Sequence, residues 1–343
     1  MFTPREAGFR MPAEWASHSS TWLAWPSRTD LWEGHLEPAR AAFVEIVSAI
    51  VEGEIANVLV PDEENAKRAR AALPAHGVRF HMLPFGDIWL RDTAPLFLLG
   101  PHMELATVRF GFNGWGGKYV LAHDDCVAER IGSTLAGVRG FTMPWVLEGG
   151  AVEVDGDGTV LTTRQCLLNP NRNPSMGEAQ IADGLLQGLG CERVLWLNEG
   201  LKNDHTDGHV DTLARFVRPG VVVAMEPRSG DDPNREVLHA ILRQLATEFD
   251  ARGRRLEVAR IPSPGRIADD EGRVMPASYV NFYVSNATVV VPTYGSPFDD
   301  EVVERIGALF PDRRAVGVDA RAVLTGGGAF HCITQQEPRG RAR

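Results

Sequence analysis

The sequence is poor in cysteine. Only Cys126, Cys166, Cys191 and Cys332 occur in 343 residues, and no two form a CxxC pair. That spacing argues against a zinc site or a disulfide framework and fits a reducing compartment. No run of about 18 apolar residues is present, so no membrane-spanning helix is expected. The opening MFTPREAGFRMPAEW lacks the apolar centre of a secretion signal. Basic residues are outnumbered: 35 Lys and Arg stand against 45 Asp and Glu, a net charge of −10. Nucleic acid is therefore not an expected partner, whereas a small cationic substrate suits the field. A soluble cytoplasmic protein is expected. Long linkers and low-complexity tracts are also missing. One compact unit is expected over residues 1–338, followed by a short disordered basic tail at 339–343.

What is present alternates between two textures. β-rich runs fall at 56–61, 78–84, 106–112, 193–198, 221–226 and 287–294. Stretches with apolar residues three and four apart predict helices at 37–53, 177–190, 235–249 and 300–310. AVEVDGDGTVLTT predicts a hairpin turning at Asp155-Gly156-Asp157-Gly158. The alternation indicates an α/β fold. Five unusual segments, WLRDTAP, LEGGAVEV, GHVDTLARF, SYVNFYV and GGGAFHC, recur roughly every 50–70 residues. Each sets a polar or glycine cluster beside a β-like run, as repeated β-α units with one polar position per unit would.

Chemistry concentrates in these segments. Cys332 follows Gly326-Gly327-Gly328, a loop that permits close backbone approach to a ligand. A cysteine with His and acids elsewhere in the chain is the nucleophile pattern, whereas the other three cysteines read as buried thiols. In NDHTDGHVDT, His209 and Asp211 would share one face of a strand. Glu148 ends the apolar run PWVLEGG, and Asp92 and Trp89 lie in DIWLRDTAP. A thiol, an imidazole and three carboxylates suit a guanidinium, whose fixed fork of N–H donors paired carboxylates can grip. Asp92 and Asp211 would hold it. Its charge would favour the Cys332 thiolate, and Glu148 would orient His209 and favour its protonated form as general acid. A rival reading takes Asp204, His205, Asp207, His209 and Asp211 as metal ligands, but no second distant cluster completes such a set.

The motifs DIWLRDTAP, GFNGWGG, LEGGAVEVDGDGT, LNPNRNP, NDHTDGHVDTLARF, PASYVNFYVSN and GGGAFHCITQQEP stand in one order along the chain. In these the sequence resembles the agmatine deiminase family, which includes the Porphyromonas-type peptidyl-arginine deiminases. The resemblance implies the pentein fold, a five-bladed α/β propeller with pseudo-fivefold symmetry. It implies no metal and no organic cofactor. It implies hydrolysis of a guanidino group through a covalent amidino-cysteine on Cys332, with His209 as acid/base, Glu148 as its partner and Asp92 and Asp211 as the guanidinium pair. Trp89, Gly327 and His205 would complete the substrate site. Agmatine is the expected substrate, N-carbamoylputrescine and ammonia the products, and a homo-oligomer the expected assembly. Free arginine, another ω-guanidino acid or peptidyl arginine are alternative substrates, and a non-catalytic binding relative is a third reading. Two departures bear on the substrate tail. His205 stands where the family commonly has an acid, and Ala329-Phe330 where Asn-Ile is common.

Overall fold

The structure, a computed structural model, describes residues 2–32 and 34–341. Sixteen strands among them form five small sheets. The pattern of four sheets is the same: an antiparallel pair, then a third strand parallel to the second. They are Leu96–Leu99 (β4), Leu105–Gly111 (β5) and Arg139–Val146 (β6); Glu153–Val154 (β7), Thr159–Thr163 (β8) and Arg193–Leu197 (β9); Ala214–Arg218 (β10), Val221–Glu226 (β11) and Glu257–Pro262 (β12); and Tyr283–Val284 (β13), Thr288–Thr293 (β14) and Arg314–Asp319 (β15). The remaining sheet draws on both ends of the chain. His18–Ala24 (β1) runs parallel to Ile55–Val60 (β2), which runs parallel to Val78–Met82 (β3), while Gln335–Pro338 (β16) pairs antiparallel with β1. The last strand thus joins the first sheet and closes the series.

A helix lies in each parallel crossover, as parallel pairing requires. Leu36–Ile50 links β1 to β2, Glu63–Ala72 β2 to β3, Val127–Thr134 β5 to β6, Glu178–Leu189 β8 to β9, Arg235–Leu245 β11 to β12, and Asp299–Leu309 β14 to β15. In the first, Leu36, Ala39, Phe43, Ile46, Val47 and Ile50 are buried, the three-and-four spacing of one helical face. The central runs VVVA of β11 and VVV of β14 are fully buried, so they are continuous in apolar residues instead of alternating.

All four expected helices form, with ends shifted by up to four residues, and the expected hairpin turns between β7 and β8. Of the tail expected at 339–343, Arg339 and Arg341 donate backbone hydrogen bonds to Ser17 and Met103. Ala342 and Arg343 lie outside the described residues. Cys166 and Cys191 are buried as expected, but Cys126, at the start of a surface helix, is only half-buried.

The sheets meet over a buried ion network. Arg215, on β10, donates Nε–H to Glu153 of β7 (2.7 Å) and Nη1–H to the Phe282 carbonyl ahead of β13 (2.9 Å). Its Nη2 reaches Glu14 at 2.9 Å. Glu14 also accepts from Arg91, which donates to the His331 carbonyl and the Gln336 side chain of β16. Every unit has a member in this network, and all its charged side chains are buried. Removing one partner of such a group strands a charge in a dry interior. Arg215→Ala, which uncovers Glu14 and Glu153 together, is expected to destabilise the protein by about 3–5 kcal/mol. A lowered urea midpoint, followed by far-UV circular dichroism, measures it.

Candidate active site

Five segments converge where the sheets begin. Asp92 ends a short helical turn, Leu90–Thr93, ahead of β4. Glu148 precedes the turn Gly149–Ala151 ahead of β7. His209 and Asp211 flank and occupy the turn Val210–Thr212 ahead of β10. Asn281 stands just before β13, and Cys332 just before β16. These are the five segments whose spacing suggests a repeat. One local expectation is corrected: His209 and Asp211 do not alternate along a strand. Gly208, at φ +90°, turns the chain into a single 3-10 turn. The two side chains still reach one place, because the turn carries them there.

The thiol of Cys332 is buried. Asn281 donates Nδ2–H to the sulfur at 3.2 Å and accepts from the Cys332 amide through Oδ1. The sulfur lies 3.6 Å from Asp211 Oδ2. Burial pushes the thiol well above its ordinary value, and the charges of Asp211 and Asp92 push it further. The glycine loop brings the sulfur and an aromatic ring together. A Cβ on Gly328 would stand 2.7 Å from Trp89 Cζ3 and 3.0 Å from Cys332 Sγ.

Asp92 accepts the indole N–H of Trp115 and the amide N–H of Gly150, both at 2.8 Å. Burial and then the nearby Asp211 push its carboxyl up to about 8. Asp211 goes the other way. Burial opposes ionisation, but His331, donating from Nδ1 at 2.6 Å, holds the carboxyl below its usual range. Asp211 Oδ1 has no partner. Two buried carboxylates therefore share one site and ionise unequally.

His209 is buried with neither ring nitrogen hydrogen-bonded. Burial pushes it down to about 3, so the ring is neutral. The expectation that Glu148 orients and charges it is not met in this state. Glu148 Oε1 is taken by Arg172 Nε at 2.7 Å, and its Oε2 is free of partners. Burial still pushes Glu148 up despite Arg172. Arg172 also binds Asp207 and the Thr206 carbonyl, which disperses the acids of the rival metal reading. Among the described residues, the cluster with ligand spacing is instead Glu148, Cys166 and His209, within 4.8 Å of one another. The Arg172 cation on Glu148 opposes a second cation there.

A cleft of about 170 Å³ opens onto Cys332. Its walls include the expected Trp89, Asp92, Gly327 and His205, together with Trp115, Tyr119 and Asp87. Asp211, His209 and Glu148 lie behind these walls and are fully buried. Asp87 accepts the indole N–H groups of both Trp32 and Trp89, which fixes the Trp89 face. His205 stacks on Tyr119, ring centroids 5.7 Å apart. Sequence reasoning did not assign Asn281, Trp115, Arg172, His331 or Asp87 a role. All five sat in quoted motifs, DIWLRDTAP, GFNGWGG, LNPNRNP, SYVNFYV and GGGAFHC; the tryptophan among glycines was the plainest signal.

Five ββαβ units, closed end to end and carrying a thiol, an imidazole and paired carboxylates at their convergence, define a protein of the pentein fold. The chain belongs to the Porphyromonas-type peptidyl-arginine deiminase family, whose model matches residues 10–338. It is 40% identical to an agmatine deiminase of Ectopseudomonas mendocina, covering 98% of this chain and 97% of that protein. An agmatine deiminase of Pseudomonas aeruginosa is 39% identical over the same shares. The solved agmatine deiminase of Enterococcus faecalis superposes with a TM-score of 0.93 at 35% identity, covering 99% of this chain and 98% of that one. A substrate-bound agmatine deiminase of C. jejuni gives 0.89 at 26% identity, covering 97% of each.

Gly150 makes the convergence possible. A Cβ there would lie 2.5 Å from His209 Nδ1, 3.0 Å from Asp211 Oδ2 and 3.1 Å from Asp92 Oδ1. Gly150→Ala must push at least one of them aside, and displacements of about 1 Å cost roughly 100-fold in rate. Turnover is expected to fall by at least about that factor, while a thermal melt shows a protein that still folds.

Proposed function

We propose that this protein is a thiol-dependent deiminase of a small guanidino compound, with agmatine as substrate and N-carbamoylputrescine and ammonia as products. The observation that carries the reading is Cys332 beside Asp92 and Asp211, two buried carboxylates that a guanidinium would neutralise. The curated relatives named agmatine deiminase support it.

The chemistry follows from the charges. In the free site the proton rests on sulfur, since Cys332 is pushed up and His209 down. A guanidinium gripped by Asp92 and Asp211 offsets the negative charge that disfavours the thiolate. The sulfur then bonds to the guanidino carbon. The thiol proton passes to His209 and on to the departing nitrogen, which leaves as ammonia. The remaining amidino group is a cation on sulfur. Water adds to its carbon and gives a proton to His209, now neutral again. The C–S bond breaks, a ureido product leaves, and the thiol is regenerated with one proton released. Asn281, donating to sulfur, stabilises the thiolate at both stages.

The substrate tail decides between readings. His205 and Tyr119 replace an acidic wall with a stacked aromatic pair. The faces of Trp89, Trp115 and Tyr119 offer an ammonium cation–π contacts worth about 0.5–2 kcal/mol, which favours agmatine without an acid. A carboxylate-bearing tail such as that of arginine is the second reading, and it rests on His205. Ammonia release from agmatine and from L-arginine, side by side, tests the pair. Agmatine is expected to be preferred; preference for arginine overturns the choice of substrate. Cys332→Ala is expected to abolish release from either with the fold intact, and full activity in that variant would sink the mechanism.

The Asp92 shift adds a pH dependence. Its carboxyl, at about 8 in the free site, holds a proton below that pH. A guanidinium can pair with it only after the proton leaves. Binding therefore strengthens as pH rises towards about 8 and levels above it. Agmatine kcat/KM is expected to fall by about tenfold per pH unit below 8. A flat profile from pH 6 to 8 contradicts this.

A further inference from the structure

The mechanism leaves unused a buried titratable side chain adjoining the nucleophile in the chain. His331 immediately precedes Cys332 and is 1% exposed. Its Nδ1 stands 2.6 Å from Asp211 Oδ2, and its Nε2 stands 2.9 Å from Glu14 Oε2. Glu14 is also gripped by Arg91 and Arg215, two cations that favour its ionised form, and Asp211 Oδ2 faces Nδ1 as its acceptor. The ring must then donate from both nitrogens, which makes it an imidazolium. The groups around it agree. Arg91 donates Nε–H to the His331 carbonyl, and Arg215 binds Glu14 and Glu153. With His331 charged, Glu14, Glu153 and Asp211 balance Arg91, Arg215 and His331. A neutral ring would leave that buried cluster with one uncompensated negative charge, next to the thiol and Asp92.

We propose that His331 is a positioning residue, an imidazolium that holds Asp211 ionised and turned so that Oδ1 faces the substrate's guanidinium. The geometry leaves Asp211 Oδ1 as the buried oxygen without a partner, while His331 occupies Oδ2. His331 therefore acts through Asp211 and does not touch substrate. The proposal deepens the deiminase reading, and its kinetic half rests on that reading.

Two variants separate positioning from mere packing. His331→Asn sets an amide donor near the position of Nδ1 and keeps the bond to Asp211. His331→Gln sets it near Nε2 and keeps the bond to Glu14 instead. With agmatine, His331→Gln is expected to lose kcat/KM by on the order of 100-fold, chiefly through KM, as one charge-assisted hydrogen bond is worth. His331→Asn is expected to lose about a tenth of that factor. A packing role predicts the reverse order, because glutamine fills the space better; Gln equal to or better than Asn overturns the proposal. A second measurement needs no substrate. In the free wild-type protein at pH 7.5, the imidazole ¹⁵N signals missing from either variant belong to His331. Two protonated nitrogens are expected; one bare nitrogen overturns the proposal. Should no guanidino compound be turned over, the deiminase reading fails and the nitrogen spectrum still decides the state of His331.

Discussion

The structure depends on charge that it cannot expose. Glu14, Arg91, Glu153 and Arg215 are buried where the sheets meet, and each satisfies its donors or oxygens across a unit boundary. Hydrophobic packing alone would hold five small sheets together without fixing their mutual positions, because apolar contact is non-directional. Ion pairs with a bidentate cation are directional. Arg215 specifies where β7 and the segment before β13 lie relative to β10, and Arg91 does the same for β16. The network is a costly way to gain stability. What it supplies is register, and the functional groups need register to within an ångström.

The same interior sets the chemistry. Asp92 and Asp211 ionise unequally because the site is too dry and too crowded for two free negative charges. Cys332 keeps its proton for the same reason. The free protein thus holds the Cys332 thiol protonated, and a cation set beside both acids would lift that restraint. A neutral ligand would not. The field of the site therefore favours a cationic ligand over a neutral one.

The sequence carried much of this, and unevenly. Cys332, Asp92, Glu148, His209 and Asp211 were legible because each is out of place locally: an acid at the end of an apolar run, a thiol behind three glycines. Crossover helices were legible from periodicity. The strands β1, β10 and β16 were not, since HSSTWLA, ARFVR and QQEP mix polar and charged residues with apolar ones. Their polar residues are buried against partners far along the chain, such as Ser20 with Asn57 and Arg215 with Glu153. Local patterning cannot announce a burial that only a distant partner makes tolerable. Glu14 and Asn281 escaped notice for that reason. His209 with Asp211 was assigned to a strand because period-two spacing also fits a turn when glycine precedes it.

The weak repeat has a related explanation. In every unit the chain arrives at the centre just before its first strand, so backbone geometry recurs at Asp92, Glu148, Asp211, Asn281 and Cys332. The side chains there have different partners: Asp92 accepts from Trp115, Glu148 from Arg172 and Asp211 from His331, while Asn281 donates to the Cys332 sulfur. A repeat under such division of labour keeps its spacing and loses its identity. Spacing is set by strand and crossover lengths, which packing constrains. Residue type at the centre follows the partner each position meets, an indole for Asp92, a guanidinium for Glu148 and an imidazole for Asp211. Partners so unlike one another cannot be met by five copies of one residue, so the position can recur while the side chain cannot.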